Sequence, residues 1–463
     1  MTGAPAPASE ALPGGGLTVD SIRNCLEGIV PATIATVAED GTPNVSLLSQ
    51  IDYVDCAHIA LSYQFFNKTR RNILAHPYAT VQVVDPDTVA QYRLSLRYLH
   101  TETSGPLFES MKARLAGIAS HVGMQGVFRL LGADLYRVLE IEPVPGLRLP
   151  PPVRKRNLLA ATRRACEALS GCTDLEGLFD QALADLQALF GVGHAMVLML
   201  DECGRRLYTV ATLGYAKSGV GSEVALGDGV IGTAARERTP IRITHMTCDY
   251  RYGRAARDSA RRASRAGAGE STEIPFPGLP EPGSQLAVPI LAERRLLGVL
   301  FVESPEDLRF CYDDEDALAT VAAQLGTRML AFQQPPAPAE EADAADPVSG
   351  PQGGAPAVVR HYGCDDSVFI DHDYLIKGVA GAIFWKLVRD HVRLGRTDFS
   401  NRELRLDPEL RLPEAAENLE ARLILLQRRL AERCDFLRIE KTGRGRFRFS
   451  VTRPLALEET PKG

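Results

Sequence analysis

Gln333 to Val358 is built almost wholly of Pro, Ala, Gly, Glu and Asp. Such a composition cannot bury enough apolar surface to offset its ordering entropy, so the segment reads as a flexible linker. A chain interrupted in this way does not fold around one core. A second break, the proline-dense run Pro143 to Pro152, lies between a β-rich and a helix-rich region. At 463 residues the chain has room for about three domains of ~150 residues. The expected division is a tail at 1–17, modules at 18–149, 156–332 and 365–455, and a linker at 333–360. Ala266 to Gly283, rich in Gly and Pro, reads as a loop inside the second module.

Bulk properties exclude several classes. The net charge of −6 argues against a wholly basic, nucleic-acid-coating protein, so any basic surface is local. No apolar run approaches the ~18–20 residues that cross a bilayer, and no membrane association is expected. Met1 to Leu17 lacks a basic start and an apolar centre and reads as a tail rather than a signal peptide. The nine cysteines stand singly, with no Cys-x-x-Cys pair, which points to a reducing cytoplasm and to no metal site. No Ser/His/Asp set, Walker loop or His-Glu-x-x-His motif is present.

The first module carries short β-type runs separated by turn signals. Thr33–Val37 and Asn44–Gln50 flank Glu39-Asp40-Gly41-Thr42, where Asp-Gly marks a tight hairpin. Further strands are expected at His58–Ser62, Thr80–Val84, Ala90–Thr101 and Leu135–Ile141, with a helix over Pro106–Ser120. This pattern predicts a small barrel. The segments Ile34 to Ser46 (IATVAEDGTPNVS) and Leu61 to Pro77 (LSYQFFNKTRRNILAHP) resemble the pyridoxamine 5′-phosphate oxidase-like split-barrel family. That resemblance implies a bound FMN whose phosphate sits on Asn67, Lys68, Thr69 and Arg70, with Gln64 and Phe66 nearby. It also implies a homodimer with the flavin between subunits. A cation beside short hydrogen-bond donors suits a dianionic phosphate. The alternative reading makes Lys68, Arg70 and Arg71 a solvated helix start. The sole tryptophan is Trp385, and no Arg/Trp-rich segment follows the barrel. Flavin binding is therefore expected ahead of pyridoxamine phosphate oxidation.

In the second module Leu158, Ala165, Leu169, Leu175, Leu178, Phe179, Ala182, Leu186 and Leu189 recur at helical spacing. Strands follow at Ala195–Leu200 and Leu207–Leu213, then Gly227–Ile243, a hairpin over Leu286–Leu291 and Arg294–Ser304, and a closing helix at Asp313–Leu330. This order resembles a GAF domain along the whole module and implies an α/β sandwich with a small-molecule pocket of unspecified ligand. Thr244–Gly283 would border that pocket. His245, Met246, Cys248, Tyr250 and Tyr252 lie there among six arginines, Arg251, Arg254, Arg257, Arg261, Arg262 and Arg265. One His and one Cys fall short of a closed metal site. An exposed arginine-rich helix is therefore preferred to a haem, metal or anion-binding lid.

The third module shows a helix at Val379–Leu394, a capping box at Ser400 and Glu403, a helix at Ala415–Arg433, and strands Phe436–Glu440 and Arg446–Val451 about a basic tip. Leu425 to Leu430 and Ile439 to Phe449 resemble the recognition helix and wing of response-regulator winged helices. This implies binding of duplex DNA through Arg422, Arg428, Arg429, Arg444, Arg446 and Arg448. Residues 401–450 hold twelve Lys and Arg against nine Asp and Glu, a small excess that leaves a protein-interaction module as the alternative to DNA binding.

The fold expected is thus multidomain α+β: split β-barrel, GAF sandwich, winged-helix-like module. The leading function is a flavin-linked cytoplasmic sensor and transcriptional regulator. The alternative is an FMN-dependent oxidoreductase with a regulatory GAF domain, and a third reading is a scaffold whose GAF domain only dimerises.

Overall fold

A computed structural model describes residues 16–48, 50–64, 68–121, 130–151, 156–201, 203–244, 274–333, 355–408, 410, 419–443 and 445–460. The first module opens on a 3-10 helix, Val19–Leu26. Its strands are β1 (Ala32–Val37), β2 (Pro43–Leu48), β3 (Ile51–Asp55), β4 (His58–Tyr63), β5 (Tyr78–Val84), β6 (Gln91–Glu102) and β7 (Gly132–Val144). Helices α1 (Lys68–Ala75) and α2 (Pro106–His121) interrupt them. Among the described residues the strands form one antiparallel sheet, β2-β1-β5-β6-β7-β4-β3, a barrel-like wrap around Ile34, Val81, Leu94, Tyr136 and Val138. The Asp-Gly signal forms the β1–β2 hairpin as expected. Gly41 adopts φ 81°, and the Asp40 carboxylate accepts the Thr42 N–H at 2.9 Å.

The second module comprises α3 (Leu158–Gly171), α4 (Leu175–Ala188), β8 (His194–Leu200), β9 (Arg206–Leu213), β10 (Glu223–Ala225), α5 (Gly229–Glu237), β11 (Ile241–Ile243), β12 (Ser284–Ala292), β13 (Arg295–Ser304) and α6 (Tyr312–Gln333). Asn157 and Asp174 cap α3 and α4, accepting the Ala160 and Gly177 N–H groups at 3.0 and 2.8 Å. The sheet order is β10-β9-β8-β13-β12-β11. One face packs on α3, α4 and α6 through Leu178, Phe179, Leu300 and Leu325. The other face packs α5 through Val230, Ile231 and Ala234. This is the layered arrangement that the GAF resemblance implies.

The central β8–β13 pair depends on a missing side chain. A Cβ on Gly298 would lie 2.0 Å from the Leu198 carbonyl oxygen. Gly298→Ala must push two backbones apart, so a loss of about 1–3 kcal/mol is expected. Urea unfolding followed by circular dichroism measures it. An unchanged midpoint would show that the pair yields at no cost.

The third module holds β14 (Ala357–Tyr362), β15 (Ser367–Ile370), β16 (Asp373–Ile376), α7 (Gly378–Leu394), β17 (Asp398–Ser400), α8 (Asn401–Leu406), α9 (Leu419–Arg433), β18 (Leu437–Gly443), β19 (Arg446–Val451) and β20 (Leu455–Thr460). Ser400 caps α8, accepting the Glu403 N–H at 3.2 Å. One sheet runs β17-β19-β18; the other runs β16-β15-β14-β20, with β14 and β20 parallel. This second sheet corrects the expected boundary, because β14 begins inside the stretch read as linker and β20 extends beyond the expected end. The start of the helix expected from Ala415 lies outside the described residues. The helix–helix–hairpin outline expected of a winged helix is thus embedded in a module with more strand than anticipated.

The second and third modules share one apolar core. Leu178 and Phe179 belong to the same buried cluster as Leu425, Leu426 and Phe449. Among the described residues, no helix is long and apolar enough to cross a membrane.

Candidate functional sites

In the first module, α1 lies against β1 and β2. The Thr69 hydroxyl sits 3.0 Å from the Ser46 hydroxyl and accepts from Asn44 Nδ2 at 2.9 Å. Asn72 Nδ2 donates to the Thr36 hydroxyl at 3.1 Å, which fixes α1 on the hairpin. Lys68 is exposed at the first position of α1. Gln64, 8% exposed, donates to the Ser62 hydroxyl at 3.0 Å, while its Oε1 has no partner among the described residues. Phe66 and Asn67 lie outside the described residues.

Arg70 departs from the expected phosphate role. Its Nη1 donates to both Asp134 oxygens at 2.6 Å, its Nη2 reaches the Thr101 hydroxyl at 2.9 Å, and it stacks 4.5 Å above the Tyr63 ring. Burial pushes the Asp134 carboxyl up, while Thr101 and Arg70 pull it down. Burial would lower the Arg70 guanidinium, but Asp134 and Tyr98 hold it above its ordinary value. Arg70 therefore neutralises a buried carboxylate. The site that remains for an anion is Lys68, the Ser46 and Thr69 hydroxyls, and the first-turn N–H groups of α1. These donors fit a phosphate, and the orphaned Gln64 acceptor fits a ring N–H beside it.

A second constellation joins the first two modules, and a single local sequence feature hints at it. Arg242, 1% exposed in β11, donates to Glu27 at 2.7 Å, to Glu315 at 2.8 Å and to the Phe310 carbonyl at 3.1 Å. Its guanidinium lies 4.3 Å above the Tyr312 ring. The Tyr312 N–H reaches Glu27 at 2.8 Å, and its hydroxyl takes the Tyr53 N–H at 3.2 Å. Arg114 of α2 pairs with Asp52 and with the Tyr312 hydroxyl. Burial pushes the Asp52 carboxyl up, opposed by Arg114 and Arg242. The only available hint is a charged residue between two isoleucines, Ile241-Arg242-Ile243.

The arginines of the third module face inward to differing degrees. Arg428 donates to Asp180 at 2.5 Å and to the Val210 carbonyl at 3.0 Å. Arg429, 2% exposed, donates to the Leu375 carbonyl at 3.2 Å. Arg422 stacks 3.8 Å above the Tyr208 ring. These three therefore bind this chain's own groups in the structure, where free groove-reading side chains were expected. Lys441 pairs with Asp174 at 2.8 Å and Arg448 with Asp398 at 3.0 Å. Arg446 is exposed, and Arg444 lies outside the described residues. The His245–Arg265 cluster also lies outside them. Among the described residues no group of three or more His, Cys, Asp and Glu side chains could hold a metal.

Comparison with known proteins places families on two modules. Residues 18–144 match the model described as pyridoxamine 5′-phosphate oxidase, and residues 174–329 match the GAF domain model. No curated protein matches the chain. Among solved structures, the GAF domain of an Acinetobacter phosphoenolpyruvate-protein phosphotransferase is 22% identical, over 37% of this chain and 90% of that one, at a TM-score of 0.29. An FMN-binding protein from Syntrophomonas wolfei is 16% identical, over 28% and 88%, at 0.24. Free methionine-R-sulfoxide reductase from Neisseria meningitidis is 17% identical, over 38% and 90%, at 0.29. Each likeness is confined to one module and carries no functional weight.

Proposed function

We propose that this chain, with a pyridoxamine 5′-phosphate oxidase-type barrel followed by a GAF domain, is a flavin-linked sensor whose third module gives the output. The observation that carries this reading is the continuity of buried contacts between modules. Arg242 and Tyr312 tie the barrel to the GAF domain, and α9 is docked on α4 and β9 of that domain. A change of state in one module therefore acts on packed, charged junctions, where small displacements are costly. An oxidoreductase with passive appendages has no need of such junctions.

In this proposal Lys68, Thr69, Ser46 and the α1 N-terminus hold the FMN phosphate, and Gln64 takes a ring N–H. When bound, the flavin supplies one- or two-electron redox chemistry. Arg70 shapes the site by holding Asp134. The exposed apolar face of β1 and β2, where Val37, Val45 and Leu47 stand 47%, 70% and 75% exposed, is proposed as the homodimer contact. The GAF domain takes a small ligand. The third module acts as a winged-helix-like reader of duplex DNA through Arg446, Arg448 and the helix α9 when that helix is undocked.

Purified protein is expected to show flavin absorbance, or to gain it with added FMN. Lys68→Ala with Thr69→Ala removes two donors, one of them charged, each worth about 1.5–3 kcal/mol for a charge-assisted bond and less for the neutral one. FMN affinity is therefore expected to fall at least about tenfold. Arg70→Ala should instead lower barrel stability by stranding Asp134. A spectrum without flavin even in excess FMN overturns the cofactor assignment.

A further inference from the structure

Resting on the reading of the GAF domain as a ligand receiver, we propose that its ligand is an organic ammonium, held by Glu303 and Gln285 on the sheet face under α5. That face is apolar along most of its length. Met196, Phe301 and Ala287 stand opposite one another on β8, β13 and β12, all fully buried. Two residues away on the same strands, the register sets His194 opposite Glu303 and Glu303 opposite Gln285. Side chains two apart on a strand share a face, so one polar row crosses this end of the sheet.

Glu303 is 0% exposed. Its Oε1 accepts the Leu279 N–H at 2.7 Å and its Oε2 accepts from Gln285 Nε2 at 2.9 Å. Both donors are neutral, and among the described residues no cationic side chain pairs with this carboxylate. Burying a carboxylate without a cation is costly. Gln285, 3% exposed, carries a second mark. An ionised carboxylate only accepts, so the bond to Glu303 fixes the amide with its nitrogen on that side. The Gln285 Oε1 is thereby left buried with no hydrogen-bond partner among the described residues. His194 Nδ1 is buried without one as well, and its ring lies 5.4 Å from that of Tyr215.

The carboxylate and the amide oxygen lack the same thing, a donor that carries positive charge. An ammonium has one such charge and three N–H donors, so a single head group answers both. His194 Nδ1 adds a further acceptor in the tautomer that holds its proton on Nε2. Tyr215 and Phe276 pack at the margin of the apolar face, which favours a ligand with a carbon body. An anionic ligand would set its charge against Glu303.

The test is calorimetry on the full-length protein at neutral pH with three probes: phenethylamine, tetramethylammonium and phenylacetate. Saturable binding of phenethylamine is expected, with tetramethylammonium, which has no N–H, at least about tenfold weaker and phenylacetate silent. Glu303→Gln should weaken phenethylamine at least about tenfold. Gln285→Met removes the free oxygen at similar length, keeps Glu303, and should weaken it too. Glu303→Gln also has a readout without ligand. The Gln285 amide can then turn over, so that its oxygen accepts from the new amide and no acceptor is left over. The melting midpoint of the unliganded protein should therefore rise by about 2–4 °C. Were Glu303 only an anchor for the Leu279 N–H, the midpoint would stay or fall. No heat from phenethylamine, equal affinity for tetramethylammonium, affinity indifferent to Glu303→Gln, or a midpoint that fails to rise overturns the ammonium assignment. Saturable heat from phenylacetate would then keep the GAF domain as a ligand receiver, whereas silence of all three probes withdraws that reading as well. Flavin absorbance of the same sample reports separately on the cofactor.

Discussion

Arg242→Met is expected to cost about 3–5 kcal/mol of native stability, because it strands Glu27 and Glu315 in a buried setting without their shared cation. The loss should fall on the junction more than on either module. Unfolding followed by tyrosine fluorescence and by circular dichroism should give coincident transitions for the native chain and separated ones for the variant. Adding Glu27→Gln should restore part of the loss, since the double change removes charge from both sides. If Arg242→Met unfolds in one transition within ~0.5 kcal/mol of the native chain, the junction carries no such energy.

The second large effect concerns α9. Leu425 is 3% exposed, and one of its methyls approaches Gly221 of the GAF domain. Leu425→Asp with Arg428→Glu places an unpaired carboxylate in that contact and sets a like charge against Asp180. Burying an unpaired charge costs several kcal/mol, so the third module is expected to swing out on its linker. Small-angle scattering should report a larger radius of gyration, and amides on the faces of α4 and α9 should exchange faster. In the proposed function the released module also shifts duplex DNA that the native chain does not. An undiminished, compact scattering profile would place the third module's docking on other contacts. Release without any gain in DNA binding would make α9 a protein-docking helix.

Elements built from local chemistry were legible in the sequence. Asp40-Gly41 fixed the hairpin, and the leucine spacing of α3, α4 and α6 marked the GAF layers. Strands β14 and β20 were not, because each completes its sheet with a partner 98 positions away and β14 emerges directly from a linker-like stretch. Lys68 and Thr69 open α1, with Thr69 beside the Ser46 hydroxyl, whereas Arg70 has the same local look and is committed to Asp134, far off in sequence. The arginines of α9 show the same ambiguity, since a basic helix face looks alike whether it meets DNA or the carboxylate and carbonyls of a neighbouring module. The Arg242 cluster left no more trace than the charge between Ile241 and Ile243, because its partners Glu27 and Glu315 lie far off in sequence.

The parallel pairing of β14 with β20 also sets an order of assembly. Ala357 opens the module, yet its neighbour in the sheet is Leu455. On the ribosome the barrel and the GAF domain can close while later residues are still being added, as domains generally do from the N-terminus. The third module cannot. Its first strand leaves the exit tunnel with one edge unpaired and waits for nearly a hundred further residues before that edge is covered. During that interval it is the segment of the nascent chain most open to mispairing with another strand.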